Sequence, residues 1–427
     1  MSEPFDRVLD EIYRSYMRAK QLVAGMPDRD VRKPRIILDI AERLKLIPER
    51  QSVVKVTGSK GKGTTTRLIA ELISNEVSYK KTGLLISPEE IEHTDRMRIN
   101  GKSISTPDFI KIFEELHPTL LEVERRLNAG EYLSPFGIFL LVGLTWFRKE
   151  GVRHFVLEGG RGARFDEVGQ IESKVGVVTS ILNEHPTYLG PSLEDIARDK
   201  LSILNNSNSV VLDETANIWV HRLKLPYSPI VVSALKPHDD MQYSAPKWYR
   251  LDLAMAKAAV GQYLGRSIHV SDLRLNFQTA SFGTLSLDGH AVIYEAVISL
   301  ESLDREFVDK LTRDGKTIVV ASLPDDKDVD RLVSFFNARH ITLRHVVLTG
   351  TRGYLHYHRT EEKYGQSILA TINYDDTQSL KLALQNIANT NPAAIFYLIG
   401  THTFIRLVKR AMDPSLPHHE TGRDELI

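Results

Sequence analysis

Thr57-Gly58-Ser59-Lys60-Gly61-Lys62-Gly63-Thr64-Thr65-Thr66 is the stretch on which the reading of this chain turns. A β-branched run, Ser52-Val53-Val54-Lys55-Val56, precedes it, and an apolar helical pattern follows it at Leu68, Ile69, Leu72 and Ile73. Strand, glycine loop and helix in that order let backbone N–H groups curl around a polyphosphate at the positive end of a helix. Lys62 can then reach the terminal phosphates, and the Thr64 hydroxyl can sit on Mg²⁺. A solvated turn rich in Gly, Lys and Thr is the plain alternative, but such a turn requires neither flanking element. The loop therefore implies a nucleoside triphosphate.

Outward from the loop, strand and helix alternate. Strands are expected at 52–57, 83–86, 154–158, 175–181, 209–212 and 230–232, with helices near 65–75, 107–116, 134–149 and 192–204. Helix-period positions also mark 5–22 and 35–47. The rhythm predicts an α/β fold, a mainly parallel sheet covered on both faces, with ligands at the carboxyl ends of its strands. A second series begins near residue 290, with strands at 291–297, 317–321, 344–349, 368–372 and 394–399, and reads as a smaller Rossmann-like domain. The expected organisation is 1–289, 290–412 and a loose polar tail over 413–427.

The bulk properties exclude several function classes. With 55 basic and 55 acidic residues, no global field attracts nucleic acid or an anionic membrane. There is no cysteine, which rules out disulfides, thiolate nucleophiles and cysteine-bound zinc, and fits a reducing, cytoplasmic setting. The most apolar stretch, Phe136 to Phe147, is followed by Arg148 and Lys149 and is too short to span a bilayer, so a buried helix is expected. The N-terminus has no secretion-signal pattern.

Several side chains fall where a parallel sheet presents its ligands. Ser87 ends the strand Gly83-Leu84-Leu85-Ile86. Glu158 ends Val156-Leu157 ahead of Gly159-Gly160-Arg161-Gly162, so its partly desolvated carboxylate wants a cation, either Mg²⁺ or one of Arg161 and Arg164. His185 lies just past the strand ending at Ile181, as a ligand or as a packing or surface residue. Lys200 follows Leu193, Ile196 and Ala197 by seven, four and three residues, which places it on the apolar face of a helix capped by Ser192. There it snorkels, has a partner, or is carbamylated into an anion that binds a cation. Arg96 and Arg98 precede the turn signal Asn100-Gly101, and solvated edge residues are the plain alternative for both.

Taken in order, these segments resemble the folylpolyglutamate synthase branch of the Mur ligase superfamily. The resemblance rests on Gly58 to Thr64, with only two residues between its first Gly and the Gly-Lys pair; on Ser87-Pro88; and on Arg96-Met97-Arg98-Ile99-Asn100-Gly101. It continues through Leu157-Glu158 to Asp166, His185 to Gly190, and Ile196-Ala197-Arg198-Asp199-Lys200. Asp326-Lys327-Asp328 and Leu398-Ile399-Gly400 resemble the family's C-terminal domain.

The resemblance implies ATP held by Gly58, Ser59, Lys60, Gly61, Lys62, Gly63, Thr64 and Thr65. It implies one Mg²⁺ on Thr64 and Glu158, a second on Ser87, Glu158 and His185, and a carbamylated Lys200. Catalytic roles would fall to Lys62, Glu158, His185 and Lys200, with Asp326, Lys327 and Asp328 as candidates from the second domain. The implied reaction joins a small-molecule carboxylate, by default a folate or folate-like polyglutamate, to an amino acid amine, glutamate by default, through an acyl phosphate. It implies no nucleic-acid or membrane partner and does not fix the oligomeric state.

The departures are local. Tyr294-Glu295-Ala296-Val297-Ile298-Ser299 stands where the family has Asp-Gly-Ala-His-Asn. Glu89 and Gly137 replace a His and a Glu near the acyl substrate, and Asp166 is followed by Glu167-Val168-Gly169 instead of Ala-Thr-Asn. They point to a ligase for a non-folate carboxylate as one alternative, and to a non-catalytic nucleotide-binding scaffold as another.

Overall fold

Five consecutive buried residues, Val53–Thr57, form a strand in the middle of a sheet, as a β-branched run enclosed on both faces should. In the computed structural model, the described residues are 3–77, 80–235, 246–268, 281–297, 299–325, 327, 329–350, 356–413 and 416. They divide into two compact units, one of Met1–Glu89, His93–Lys236 and Trp248–Asp272, the other of Glu90–Glu92, Pro237–Lys247 and Leu273–Ile427.

The first unit carries an eight-stranded sheet. Numbered along the chain, its strands are β1 (Val53–Thr57), β2 (Thr82–Leu85), β3 (Met97–Ile99), β4 (Lys102–Ser103), β5 (His154–Glu158), β6 (Ser173–Val178), β7 (Ser207–Asp213) and β8 (Ile230–Val232). Their spatial order is β4-β3-β2-β5-β1-β6-β7-β8. From β2 to β8 all neighbours are parallel, whereas β3 and β4 turn back antiparallel about Asn100-Gly101. The parallel register places Val56 beside Glu158, so the phosphate-loop strand and the acidic strand end together.

Helices α1 (Glu3–Val23), α2 (Asp28–Val31), α3 (Arg35–Arg43) and α4 (Lys62–Glu76) are followed by α5 (Thr106–Glu124), α6 (Pro135–Lys149), α7 (Glu167–Gln170) and α8 (Pro186–Leu189). Next come α9 (Leu193–Leu201), α10 (Glu214–Arg222) and α11 (Lys247–Leu264). One core joins Leu9, Ile12, Ile37 and Ile40 to Phe109, Phe139 and Phe147, against Leu85, Met97 and Leu157 of the sheet. The apolar stretch 136–147 is the buried α6, as its length requires. A second core packs Ile196, Ala197 and Leu201 of α9 on Val178 and Leu212.

The edge reading of Arg96 is overturned. It is buried, its Nε and Nη2 donate to Glu89 Oε2 at 3.0 and 2.7 Å, and its guanidinium lies 4.4 Å from the Phe139 ring centre. Burial is sustained because a bidentate carboxylate and an aromatic face replace water around the cation. The β1 lysine is enclosed as well: Lys55 Nζ donates to Gly169 O at 3.0 Å and Ile171 O at 2.6 Å, and burial pushes its amine down to about 7. These two bonds pin α7 to the central strand.

The second unit holds β9 (Phe282–Leu287), β10 (His290–Ala296), β11 (Thr317–Ser322), β12 (Arg344–Thr349), β13 (Ile368–Asn373) and β14 (Ile395–Gly400). The order is β13-β12-β11-β14-β10-β9, parallel except for the β9–β10 hairpin. Helices α12 (Arg305–Leu311), α13 (Val329–Asn337), α14 (His358–Tyr364), α15 (Thr377–Thr390) and α16 (His402–Met412) connect them. Because β9 pairs within this sheet, the second unit starts ahead of the expected boundary at residue 289. α11, in the segment expected to join the domains, lies mostly in the first unit. Of the tail 413–427, only Asp413 and Leu416 are described.

Gly137 at the start of α6 has no room for a side chain. An added Cβ would lie 2.5 Å from Ile37 Cγ1, 2.7 Å from Ser134 Oγ and 3.0 Å from Glu167 Oε1. Overpacking of this kind costs about 1–3 kcal/mol. Gly137→Ala is therefore expected to lower the unfolding free energy from urea titration by that amount, and an unchanged value would mean that the α3–α6 contact yields freely.

Candidate functional site

Helix α4 opens at the carboxyl end of β1 with Gly61 as N-cap, in the left-handed region at φ 87°, and no side chain caps it. An uncapped N-terminus facing the end of a parallel sheet is an anion site by construction. Gly58, at φ 141°, is held so close to the next strand that an added Cβ would lie 2.0 Å from Thr179 Oγ1. The loop is sutured to residues after β6: Ser59 N donates to Ser180 O (2.8 Å), Lys60 N to Ser180 Oγ (2.9 Å), and Thr179 Oγ1 to Lys60 O (2.6 Å). Lys62 Nζ folds back on Gly58 O at 2.9 Å and Ser59 O at 3.4 Å, so its ammonium spans the cradle. Thr64 and Thr65 are buried in the first turn of α4.

Beside this cradle stands Glu158, 2% exposed, its Oε2 accepting from Ser87 N at 3.3 Å. Burial pushes its carboxyl up to about 7, against the pull of Lys62, the Ser87 amide, Arg67 and Arg96. The expected ion pair with Arg161 or Arg164 is absent among the described contacts. Arg161 turns away to Asp28, with Nε 3.2 Å from Oδ2, and stacks 3.7 Å above the Tyr188 ring. The glycine turn behind Glu158 is clamped by two carboxylates. Asp166 accepts from Gly160 N and Val168 N, each at 3.0 Å, and Asp199 accepts from Ala163 N at 2.7 Å.

Lys200 is fully enclosed, and the partner expected for it exists. Its Nζ donates to Gly58 O (3.0 Å) and Arg161 O (2.9 Å) and pairs with Glu184 Oε1 at 2.8 Å. One ammonium thus joins the phosphate loop, the glycine turn and the segment after β6. Burial pushes its amine down to about 8, with Lys62 adding to the effect and Glu184 opposing it. His185 caps α8 at φ 48° with a half-exposed side chain. Its imidazole is driven down to about 4, first by desolvation, with Glu184 opposing the shift and Arg161, Lys62 and Lys200 adding to it. It is neutral at physiological pH, the state a metal-ligating imidazole needs.

The structure therefore gathers Gly58 to Thr65, Ser87, Glu158, Glu184, His185 and Lys200 at the carboxyl ends of β1, β2, β5 and β6. Asp326 and Asp328 lie outside the described residues, as does Ile298; Lys327 sits in a turn, its N–H bonded to Pro324 O. Sequence reasoning passed over Glu184, although it adjoins His185, and Asp252, whose carboxyl abuts Gly61 from α11. No local spacing in the sequence connects residue 252 to the loop. Among the described residues, no helix is long and apolar enough to cross a membrane.

The comparisons with known proteins agree on one family. The dihydrofolate synthase/folylpolyglutamate synthase of Escherichia coli is 30% identical over 175 residues, 41% of this chain and 39% of that one. Its counterpart in Haemophilus influenzae is 31% identical over 178 residues, 42% and 38% of the two chains. These matches span about two fifths of each curated relative. The chain matches no protein-family profile. Among solved structures, Mycobacterium tuberculosis folylpolyglutamate synthase complexed with ADP superposes with a TM-score of 0.76 at 16% identity, covering 97% of this chain and 100% of that one. A folylpolyglutamate synthase–AMPPCP–folate complex gives 0.71 at 17% identity, over 95% and 98%. The fold is that of these synthase structures.

The displaced titration of Glu158 has a measurable consequence. A carboxyl that ionises at 4.5 when unfolded and at about 7 when folded contributes a penalty of about 3 kcal/mol. The penalty is absent below the first value, grows between the two, and is complete above the second. Glu158→Gln should accordingly be more stable than wild type at pH 8, with the advantage vanishing near pH 4. Urea unfolding at the two pH values checks this, and an equal difference at both would place the Glu158 carboxyl in a wetter setting.

Proposed function

We propose that this chain, a divergent relative of the dihydrofolate/folylpolyglutamate synthases, is an ATP-dependent ligase that joins a carboxylate to an amino acid amine. The observation that carries the reading is the convergence of Lys62, Glu158 and Lys200 on one uncapped helix N-terminus. In the proposed reaction the substrate carboxylate oxygen attacks the γ-phosphorus and ADP leaves. The amine then attacks the acyl phosphate carbon, losing a proton as inorganic phosphate departs. Lys62 and the α4 N-terminus neutralise charge on the transferring phosphoryl group, the main demand of such a step.

The donor set suits Mg²⁺. Glu158 is a buried carboxylate short of compensating charge, Ser87 meets it through its backbone N–H, Thr64 carries a hydroxyl in the first turn of α4, and His185 is an unprotonated imidazole. Thr64 with Glu158, and Ser87 and His185 with Glu158, would hold the ion or ions, which supply electrophilic activation of the phosphates when bound. For Lys200, the surroundings support the unmodified amine. A carbamate would put an anion beside Glu184 and against two carbonyl oxygens that now accept from Nζ.

A carboxylate other than a folate is the favoured acyl substrate. The residues that depart from the family pattern, Glu89 and Gly137, are engaged internally by Arg96 and by Ile37, Ser134 and Glu167.

The direct test follows ADP release with MgATP while carboxylates and amino acids are varied together. Release should rise only when both are present. Lys62→Ala and Glu158→Ala should each lower turnover by at least about a hundredfold with unchanged circular dichroism. Tight ATP binding with no stimulation by any carboxylate–amine pair would instead support a nucleotide-binding scaffold.

A further inference from the structure

The first unit holds a cavity that the ligase chemistry leaves without a task. Gln170, Asn206 and Tyr227 border it, and they stand on the segments that lead into β6, β7 and β8, three parallel neighbours in the sheet. The cavity therefore opens at the amino ends of these strands. The phosphate loop follows the carboxyl end of β1, which runs parallel to β6, so the two lie at opposite edges of one sheet. At about 540 Å³ the cavity has the size of a small-molecule site.

Its charge is of one sign. Arg164 and Arg198, both exposed, contribute to the lining, and no carboxylate does. Arg198 is half occupied: its Nε and Nη2 donate to Glu194 Oε1, one turn earlier on α9, at 3.1 and 2.7 Å. Arg164 has no carboxylate partner among the described residues, and its guanidinium lies 5.3 Å from the Phe165 ring centre. Its backbone is nonetheless fixed. Arg164 N donates to Asp199 Oδ1 at 3.4 Å, and Arg164 O accepts from Gln170 Nε2 at 2.7 Å. A held backbone carrying an unneutralised guanidinium is suited to a carboxylate or a phosphate, whose oxygens match the planar fork.

The neutral polar groups of the wall are bound to one another. The Tyr227 hydroxyl donates to Asn205 Oδ1, Asn206 Nδ2 donates to Gln170 O at 3.4 Å, and Ser202 Oγ donates to Asp199 O at 2.6 Å. Leu201, Leu223 and Leu225, with the rings of Phe165 and Tyr227, supply the apolar part of the lining. An inorganic anion would leave that apolar surface wet, and a neutral ligand would leave Arg164 unpaired. Both demands are met by one molecule with an anionic head and an apolar body.

We propose that this cavity is a second binding site, separate from the phosphate loop, for a small organic anion with a flat apolar body. Its carboxylate or phosphate is held by Arg164 and Arg198, and its body lies against the leucines and Tyr227. Occupancy requires no nucleotide, because no residue of the cavity belongs to the cradle around α4.

The test is equilibrium dialysis of the full chain against 2-naphthoate, 2-naphthyl phosphate and the neutral 2-naphthylmethanol, with and without saturating MgADP. At least one of the two anions should bind with a dissociation constant on the order of 1 mM or tighter, as expected for probes of this size. Either preference supports the site and identifies its head group. Arg164→Gln should weaken that binding at least about tenfold, through loss of a charge-assisted contact, and Arg198→Gln should weaken it in the same direction. Leu225→Asp should do so as well, by setting a like charge in the apolar wall. MgADP should leave the affinity within about twofold. Absence of saturable binding by either anion overturns the proposal, as does equal affinity for 2-naphthylmethanol, displacement by MgADP, or unchanged affinity in both arginine variants. Failure here leaves the ligase reading untouched, since the cavity shares no residue with the phosphate loop.

Discussion

The site depends on one buried cation. Lys200 Nζ ties together the phosphate loop, the glycine turn after β5 and the segment after β6, through Gly58 O, Arg161 O and Glu184. Removing one partner from a buried ion pair costs about 3–5 kcal/mol, because the other charge is left desolvated and unpaired. The same ammonium and Lys62 both sit on Gly58 O, so the loop is held open by two cations that repel each other. That arrangement is unfavourable in isolation and suited to receiving an anion.

Around this cation the first unit keeps an unusual number of ionisable groups out of water. Glu158 and Asp166 are pushed up to about 7, Lys55 down to about 7, and Lys200 to about 8. They are not equivalent. Lys55 and Asp166 are bonded to backbone groups and act as braces: Lys55 fixes α7, and Asp166 both caps α7 and closes the glycine turn. Glu158, with one 3.3 Å contact, has too few partners for structural work. Groups that stay desolvated and under-bonded are where local stability has been traded for a task.

What the sequence made legible follows from the range of each interaction. The strands of the parallel sheet and the loop at 58–64 were readable because their signals are periodic and local. Lys200 was readable as a buried lysine from its spacing on α9, but not its partners, which lie on three other segments. The solvated-edge alternative stayed open for Arg96 because a charged residue next to a turn looks solvated until the carboxylate seven residues earlier folds onto it. Asp252 was invisible, since only the packing of α11 on the loop brings it to Gly61. The second unit begins ahead of residue 289 because β9 pairs with β10 in a hairpin whose Gly/Asp turn looks like part of a linker.

The substitutions that set this chain apart from its relatives are satisfied ones, and that bears on what kind of divergence they represent. Glu89 is held by two bonds from Arg96. Gly137 leaves a space into which Ile37, Ser134 Oγ and Glu167 fit, and Glu167 in turn accepts from Arg32 at 2.9 Å. A site drifting after loss of function would be expected to accumulate buried polar groups without partners, each costing about 1–3 kcal/mol. Glu89 carries no such cost, while the under-bonded Glu158 carboxyl lies beside the phosphate loop, where a ligand and cations would satisfy it.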